Sequence, residues 1–176
     1  MNTYIALLRG INVGGRNKLP MKVWKQQLGT IGCQQVETYI QSGNAVFQHA
    51  IAAPNDLAIP IRSAIQTAYG FDARVLILSA QALKQAIAEN PFPEAEDAPK
   101  TLHLYFLEKV SAQPNIEQMT EIKAASERFA LKSRVFYLHA PDGIGRSKLA
   151  AKAEKLIGVA ATARNWRTVT RLAEMI

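Results

Sequence analysis

Glycine and proline punctuate the first ninety residues into a set order of segments, and that order restricts the fold more than any other feature. Thr3 to Leu8 is apolar, with β-branched and aromatic residues, and reads as a strand. Arg9 to Pro20 is a long loop, with Pro20 just before a helix start. Met21 to Ile31 places Val23, Trp24, Leu28 and Ile31 at helical spacing, and Gly32 stops it. Val36 to Ile40 and Ala45 to Gln48 flank Ser42-Gly43-Asn44, a tight hairpin turn. Asp56 to Tyr69 carries Leu57, Ile61 and Ile65 at a spacing of four and ends at Gly70. Ala73 to Leu78 reads as a buried strand, and Ala80 to Glu89 as a helix stopped at Asn90-Pro91. The order is βαββαβ followed by a helix, which matches the split βαβ, or ferredoxin-like, arrangement.

Pro91 to Pro99 holds three prolines and three acids and reads as a linker. Beyond it the order partly recurs. Thr101 to Leu107 is a strand, Ile116 to Ala125 a helix, and Arg128 to Lys132 with Arg134 to His139 a hairpin. Ser147 to Ile157 is a helix, and Ala163 to Met175 is expected to be helical too. The expected fold is therefore α+β. Two ferredoxin-like halves, 1–92 and 93–176, pack into one compact unit with extra C-terminal helices. No residue-level repeat relates the halves.

Composition fits a globular chain: 48% of residues are hydrophobic and 20% charged. Cys33 is the single cysteine, so no intrachain disulfide forms, and a lone thiol suits a reducing cytosol. No signal-peptide pattern opens the chain, and no apolar run reaches the roughly 18 residues that span a bilayer. A cytoplasmic protein without a membrane segment is expected. The net charge is +7, and its distribution is uneven. Nine Lys/Arg lie between Lys132 and Arg171, against Asp142 and Glu154, so this stretch alone carries the +7. Such a basic quarter favours nucleic acid, phosphorylated ligands or an acidic partner; the plainer alternative is a solubilising surface.

Several segments together resemble one family. They are Leu7-Leu8-Arg9-Gly10-Ile11-Asn12-Val13-Gly14-Gly15, Ser42-Gly43-Asn44, Asn90-Pro91-Phe92, Gly143-Ile144-Gly145-Arg146-Ser147-Lys148-Leu149 and Ala163-Arg164-Asn165-Trp166-Arg167-Thr168-Val169. The set resembles the family catalogued as domain of unknown function 1697. The resemblance implies an α+β fold built from ferredoxin-like pieces, a mostly bacterial distribution and no recognised signal sequence. It implies no particular activity.

The first loop is the leading candidate site. Gly10, Gly14 and Gly15 let backbone N–H groups turn toward one point, as in a concave anion site. Arg9 and Arg16 add planar forks suited to phosphate or carboxylate, and the loop feeds a helix N-terminus. It is neither a Walker A loop nor a Gly-x-Gly-x-x-Gly fingerprint, since Lys18 is followed by Leu19. The alternative is a structural connection whose glycines merely permit its path. By fold analogy with enzymes of the acylphosphatase kind, Arg9 and Asn44 would form an arginine–asparagine pair, with Ser42 beside them; the alternative is an ordinary turn. A second glycine-bearing loop, Gly143 to Lys148, offers Arg146 and Ser147 to an anion, or else a simple helix cap. Arg164, Trp166 and Arg167 suit stacking on a base, or else Trp166 anchors the last helix.

The three histidines, His49, His103 and His139, have no partners at metal-ligand spacing, so neither metal nor cofactor is expected. No acid–base pair for general catalysis stands out. Three readings follow. The first is a small anionic ligand held by Arg9, Asn12, Gly14, Gly15, Ser42 and Asn44, with Arg146 and Ser147 from the second half. The second is a nucleic-acid-binding module using the basic quarter. The third is a non-catalytic structural or partner-binding protein.

Overall fold

The computed structural model describes residues 1–176, and its elements follow the expected order. Strand β1 (Asn2–Arg9) leads through the long loop to helix α1 (Met21–Thr30). Then come β2 (Gln34–Tyr39), β3 (Asn44–His49), α2 (Asn55–Tyr69), β4 (Arg74–Ser79) and α3 (Ala80–Ala88). The four strands form an antiparallel sheet in the order β2-β3-β1-β4. That is the split βαβ topology. Helices α1 and α2 cover one face, where Trp24, Leu28, Leu57, Ile61 and Ile65 pack on Tyr4, Ala6, Leu8 and Phe47.

Helix α1 has ten residues, no side-chain cap and no charge suited to its dipole at either end. A helix that short is marginal by itself. Burying Trp24 and Leu28 contributes about 1.5–3 kcal/mol each and holds it in place. Helix α2 ends as expected at Gly70, whose φ of 72° is the left-handed cap that glycine takes without strain.

The second half repeats this topology in full. Strand β5 (Leu102–Leu107), α4 (Ile116–Ile122), β6 (Arg128–Lys132), β7 (Val135–His139), α5 (Lys148–Ile157) and β8 (Ala161–Asn165) precede α6 (Trp166–Glu174). Their sheet runs β6-β7-β5-β8, also antiparallel throughout. Met119, Leu149, Ala153, Leu156 and Ile157 cover one face over Leu107, Phe136, Leu138 and Ala161. Strand β8 corrects the expectation of a continuous C-terminal helix from Ala163. Its sequence, Ala-Thr-Ala-Arg-Asn, has little strand propensity, and it is extended because it pairs along β5 from Leu107↔Ala161 to His103↔Asn165. The Asn165 side chain then accepts from Thr168 N at 3.0 Å and starts α6. Each half is thus βαββαβα.

Two compact units emerge: Met1–Lys84 with Arg171–Ile176, and Gln85–Thr170. The division falls inside α3, so the Pro91–Pro99 stretch belongs to the second unit. It packs there instead of hanging free. Phe92 and Ala95 are buried, Arg128 lies 4.9 Å over the Phe92 ring, and Arg128 pairs with Glu94. No helix of the chain is long and apolar enough to cross a membrane.

Gly43 is the tightest glycine of the first unit. Its φ is 77°, and an added Cβ would lie 2.6 Å from Leu8 Cβ and 2.7 Å from Ile11 Cδ1. Its carbonyl accepts from Leu8 N at 2.8 Å. Gly43→Ala is expected to destabilise the protein by roughly 2–4 kcal/mol through left-handed strain and overpacking. Gly29→Ala, in α1 with open space around it, should be neutral or stabilising. Urea denaturation of the two variants checks the contrast.

Candidate functional site

At one end of the first sheet, three connections come together: the Gly10–Pro20 loop, the β2–β3 turn and the start of β4. The long loop is a small hairpin. Val13 and Arg16 form a bridge, with Arg16 N donating to Val13 O at 3.0 Å. Between them Gly14 (φ 56°) and Gly15 (φ 75°) make a tight turn that requires two positive φ values. The two glycines expected to cradle an anion thus also serve this turn, and no neighbour lies within 4 Å of where their Cβ atoms would be. Val13, Gly14, Gly15, Arg16 and Lys18 are exposed at the tip.

Asn12 locks the hairpin to its surroundings. Its Nδ2 donates to Leu19 O at 2.9 Å and to Gln41 O at 2.8 Å, and its Oδ1 accepts from Leu19 N at 2.8 Å. Asn17 closes the base, donating from Nδ2 to Gly10 O at 2.7 Å while its carbonyl accepts from Asn12 N. One amide therefore ties the loop to itself and to the β2–β3 turn. In that turn Asn44 is fully buried, and its Nδ2 donates to Tyr39 O at 3.0 Å and Ser42 Oγ at 2.9 Å. Ile40 sits at φ 49°, half exposed. A β-branched residue in the left-handed region is strained, and such strain concentrates at functional sites.

Antiparallel register decides which charges meet here. Arg9 stands directly opposite Arg74 across β1 and β4, and Leu7 opposite Asn44 across β1 and β3. Arg9, Arg74 and Asn44 therefore share one face of the sheet. Arg9 and Arg74 are both exposed. The nearby acid, Asp72, is engaged by a two-pronged Arg62 fork. That hydrogen bond holds its carboxyl below the usual carboxylate range, and the charges of Arg62 and Arg74 add to the effect. Arg74 escaped the sequence reading because it lies inside an apolar strand pattern. The split βαβ order, which pairs β4 with β1, was the signal that could have found it.

The remaining candidates lie in the second unit. Ser147 is buried and caps α5, accepting from Ala150 N at 2.9 Å; Arg146, just before it, is exposed. Trp166 is buried at 4% exposure, the placement given by the second of its two readings, in which it anchors the last helix. Apolar spacing with Val169 and Leu172, both buried, explains its position. Arg164 lies on the β8 face opposite α4 and α5; burial lowers its pKa to about 10, and its Nη1 donates to Ala163 O. Arg167 is exposed. Burial pushes the Cys33 thiol up to about 11, which favours its protonated form at neutral pH. No group of three or more His, Cys, Asp or Glu could hold a metal ion.

Two expectations follow. Asn12→Ala removes three hydrogen bonds from the loop and is expected to cost roughly 1–3 kcal/mol, with faster amide exchange at Leu19 than in the parent chain. His103 and His139 titrate low, His103 chiefly through burial, His139 through burial and the Arg128 charge. A depressed histidine pKa means that the unfolded chain binds more protons in the window below 6.5, so stability falls as pH drops through it. Asp72 acts in a separate window, below 3.8. The melting temperature should therefore decline between pH 7 and 5, and the double variant His103→Gln/His139→Gln should flatten that decline.

The fold has a counterpart of nearly equal length. A solved structure of a conserved bacterial protein from Streptococcus pneumoniae matches with a TM-score of 0.72 at 21% identity, covering 99% of this chain and 98% of that one. At that identity the likeness is one of fold. No curated protein matches the chain. The family model described as "Protein of unknown function (DUF1697)" matches residues 1–137, so the match takes in the first loop, the Ser42-Gly43-Asn44 turn and the Asn90-Pro91-Phe92 motif. With well over half of its length matched, the chain belongs to the DUF1697 family.

Proposed function

We propose that the loop end of the first sheet binds a small anionic ligand, a phosphate or a carboxylate. The observation that carries this is the cross-strand pair Arg9↔Arg74. Two arginines at one cross-strand position offer two planar forks that can donate to the same anion. Arg16 and Lys18, exposed on the adjoining hairpin, add positive potential. Asn12, Ser42 and Asn44 act in this reading as the frame: their hydrogen bonds position the hairpin and the turn around the pair. Gly14 and Gly15 contribute the tight turn and backbone N–H groups at its tip. The strained Ile40 supports the same location.

Inorganic phosphate is the first probe. It is expected to raise the melting temperature of the parent chain, and Arg9→Ala or Arg74→Ala should weaken binding at least tenfold in calorimetry. Both positions are exposed, so each variant should fold. Phosphate stabilisation that survives Arg9→Ala unchanged would refute the reading.

A further inference from the structure

We propose that the outward face of α5 is a polyanion-binding surface that takes the phosphate backbone of nucleic acid. Lys148, Lys152 and Lys155 are all exposed and follow the i, i+4, i+7 spacing. At 3.6 residues per turn they fall within about 60° of one another around the helix and span about 10 Å along it. Leu149, Ala153, Leu156 and Ile157 hold the other side in the core. Glu154 is the single acid of the helix and lies on a different flank. Arg146, also exposed, stands two residues before the helix. At the other end of the helix, exposed Lys109 lines a depression of about 470 Å³ with Ser111, Gln113 and Gly158. Helix α4, which packs beside α5, exposes Glu117 and Glu121, and these bound the basic surface on that flank.

Helix stability does not account for this arrangement. The first turn of α5 has no acid, and Arg146 and Lys148 sit at the end where the helix dipole disfavours cations. Lys155 alone is placed where the dipole favours it. The apolar stripe of α5 is committed to the core, so the helix has nothing to insert into a bilayer. The row itself contains no aromatic side chain, and Trp166 is buried. Binding should therefore be phosphate-driven and insensitive to base sequence.

The test uses the full chain, a labelled 20-nucleotide single strand and its duplex, with anisotropy read from 50 to 300 mM NaCl. Four or five phosphate contacts predict a slope of log K against log salt of about −3 to −4. The variant Lys148→Gln/Lys152→Gln/Lys155→Gln should reduce the slope to about −1 and weaken binding at least tenfold at 50 mM salt. Single variants, which serve if the triple variant does not fold, should each lower the slope by about one. Lys22→Gln/Lys25→Gln on α1 should leave it unchanged. The proposal is overturned by no binding at 50 mM salt or by an unchanged slope in a folded triple variant. It is equally overturned if phosphatidylserine vesicles or an acidic protein bind where neither oligonucleotide does.

Discussion

Strand β1 hydrogen-bonds along both edges, and the geometry at the loop end of the first unit follows from its register. Pairing with β3 puts Leu7 opposite Asn44, and pairing with β4 puts Arg9 opposite Arg74. A slip of one residue on either side would turn Tyr4, Ala6 and Leu8 away from the helices and send Arg9 to the other face. Burial of those three side chains against α1 and α2 forbids the slip. The same apolar contacts that stabilise the unit thereby hold Arg9 and Arg74 at one cross-strand position. The hydrophobic effect has no direction of its own; the alternation of the strand converts it into a fixed placement of charge.

Rigidity at this end comes from short-range contacts. Gly43 lets the β2–β3 turn close directly onto Leu8 and Ile11, where no side chain fits. Asn12 and Asn17 then bond the backbone of the adjoining hairpin with their side chains. Both asparagines have φ near 50°, a conformation this residue tolerates because its amide bonds locally. A loop built this way presents Arg16 and Lys18 from a fixed frame.

The second unit reuses the architecture for a different distribution of charge. Its sheet order and helix placement repeat those of the first, yet its cations lie on the outside of a helix instead of the end of the sheet. The glycine-bearing stretch before α5 is not a copy of the first loop: it is a short 3-10 turn at Ile144–Arg146, followed by the Ser147 cap. Repetition of the fold did not carry the loop with it, because exposed positions are free to differ while the core pattern is kept.

The amino-acid sequence by itself determined the elements of the first half, nearly to the residue, because helical spacing at Leu57, Ile61 and Ile65 and the stops at Gly32 and Gly70 are local physics. It also contained the family motifs, and the loop that became the leading candidate site. Two things were decided only in the tertiary structure. Strand β8 is extended because β5 offers it an edge, against the preference of its own alanines. Arg74 joins Arg9 although sixty-four intervening residues separate them in the chain. Each depends on pairing or packing between distant segments. Short-range periodicity records which side chains seek the core, and it does not record which strand will lie alongside.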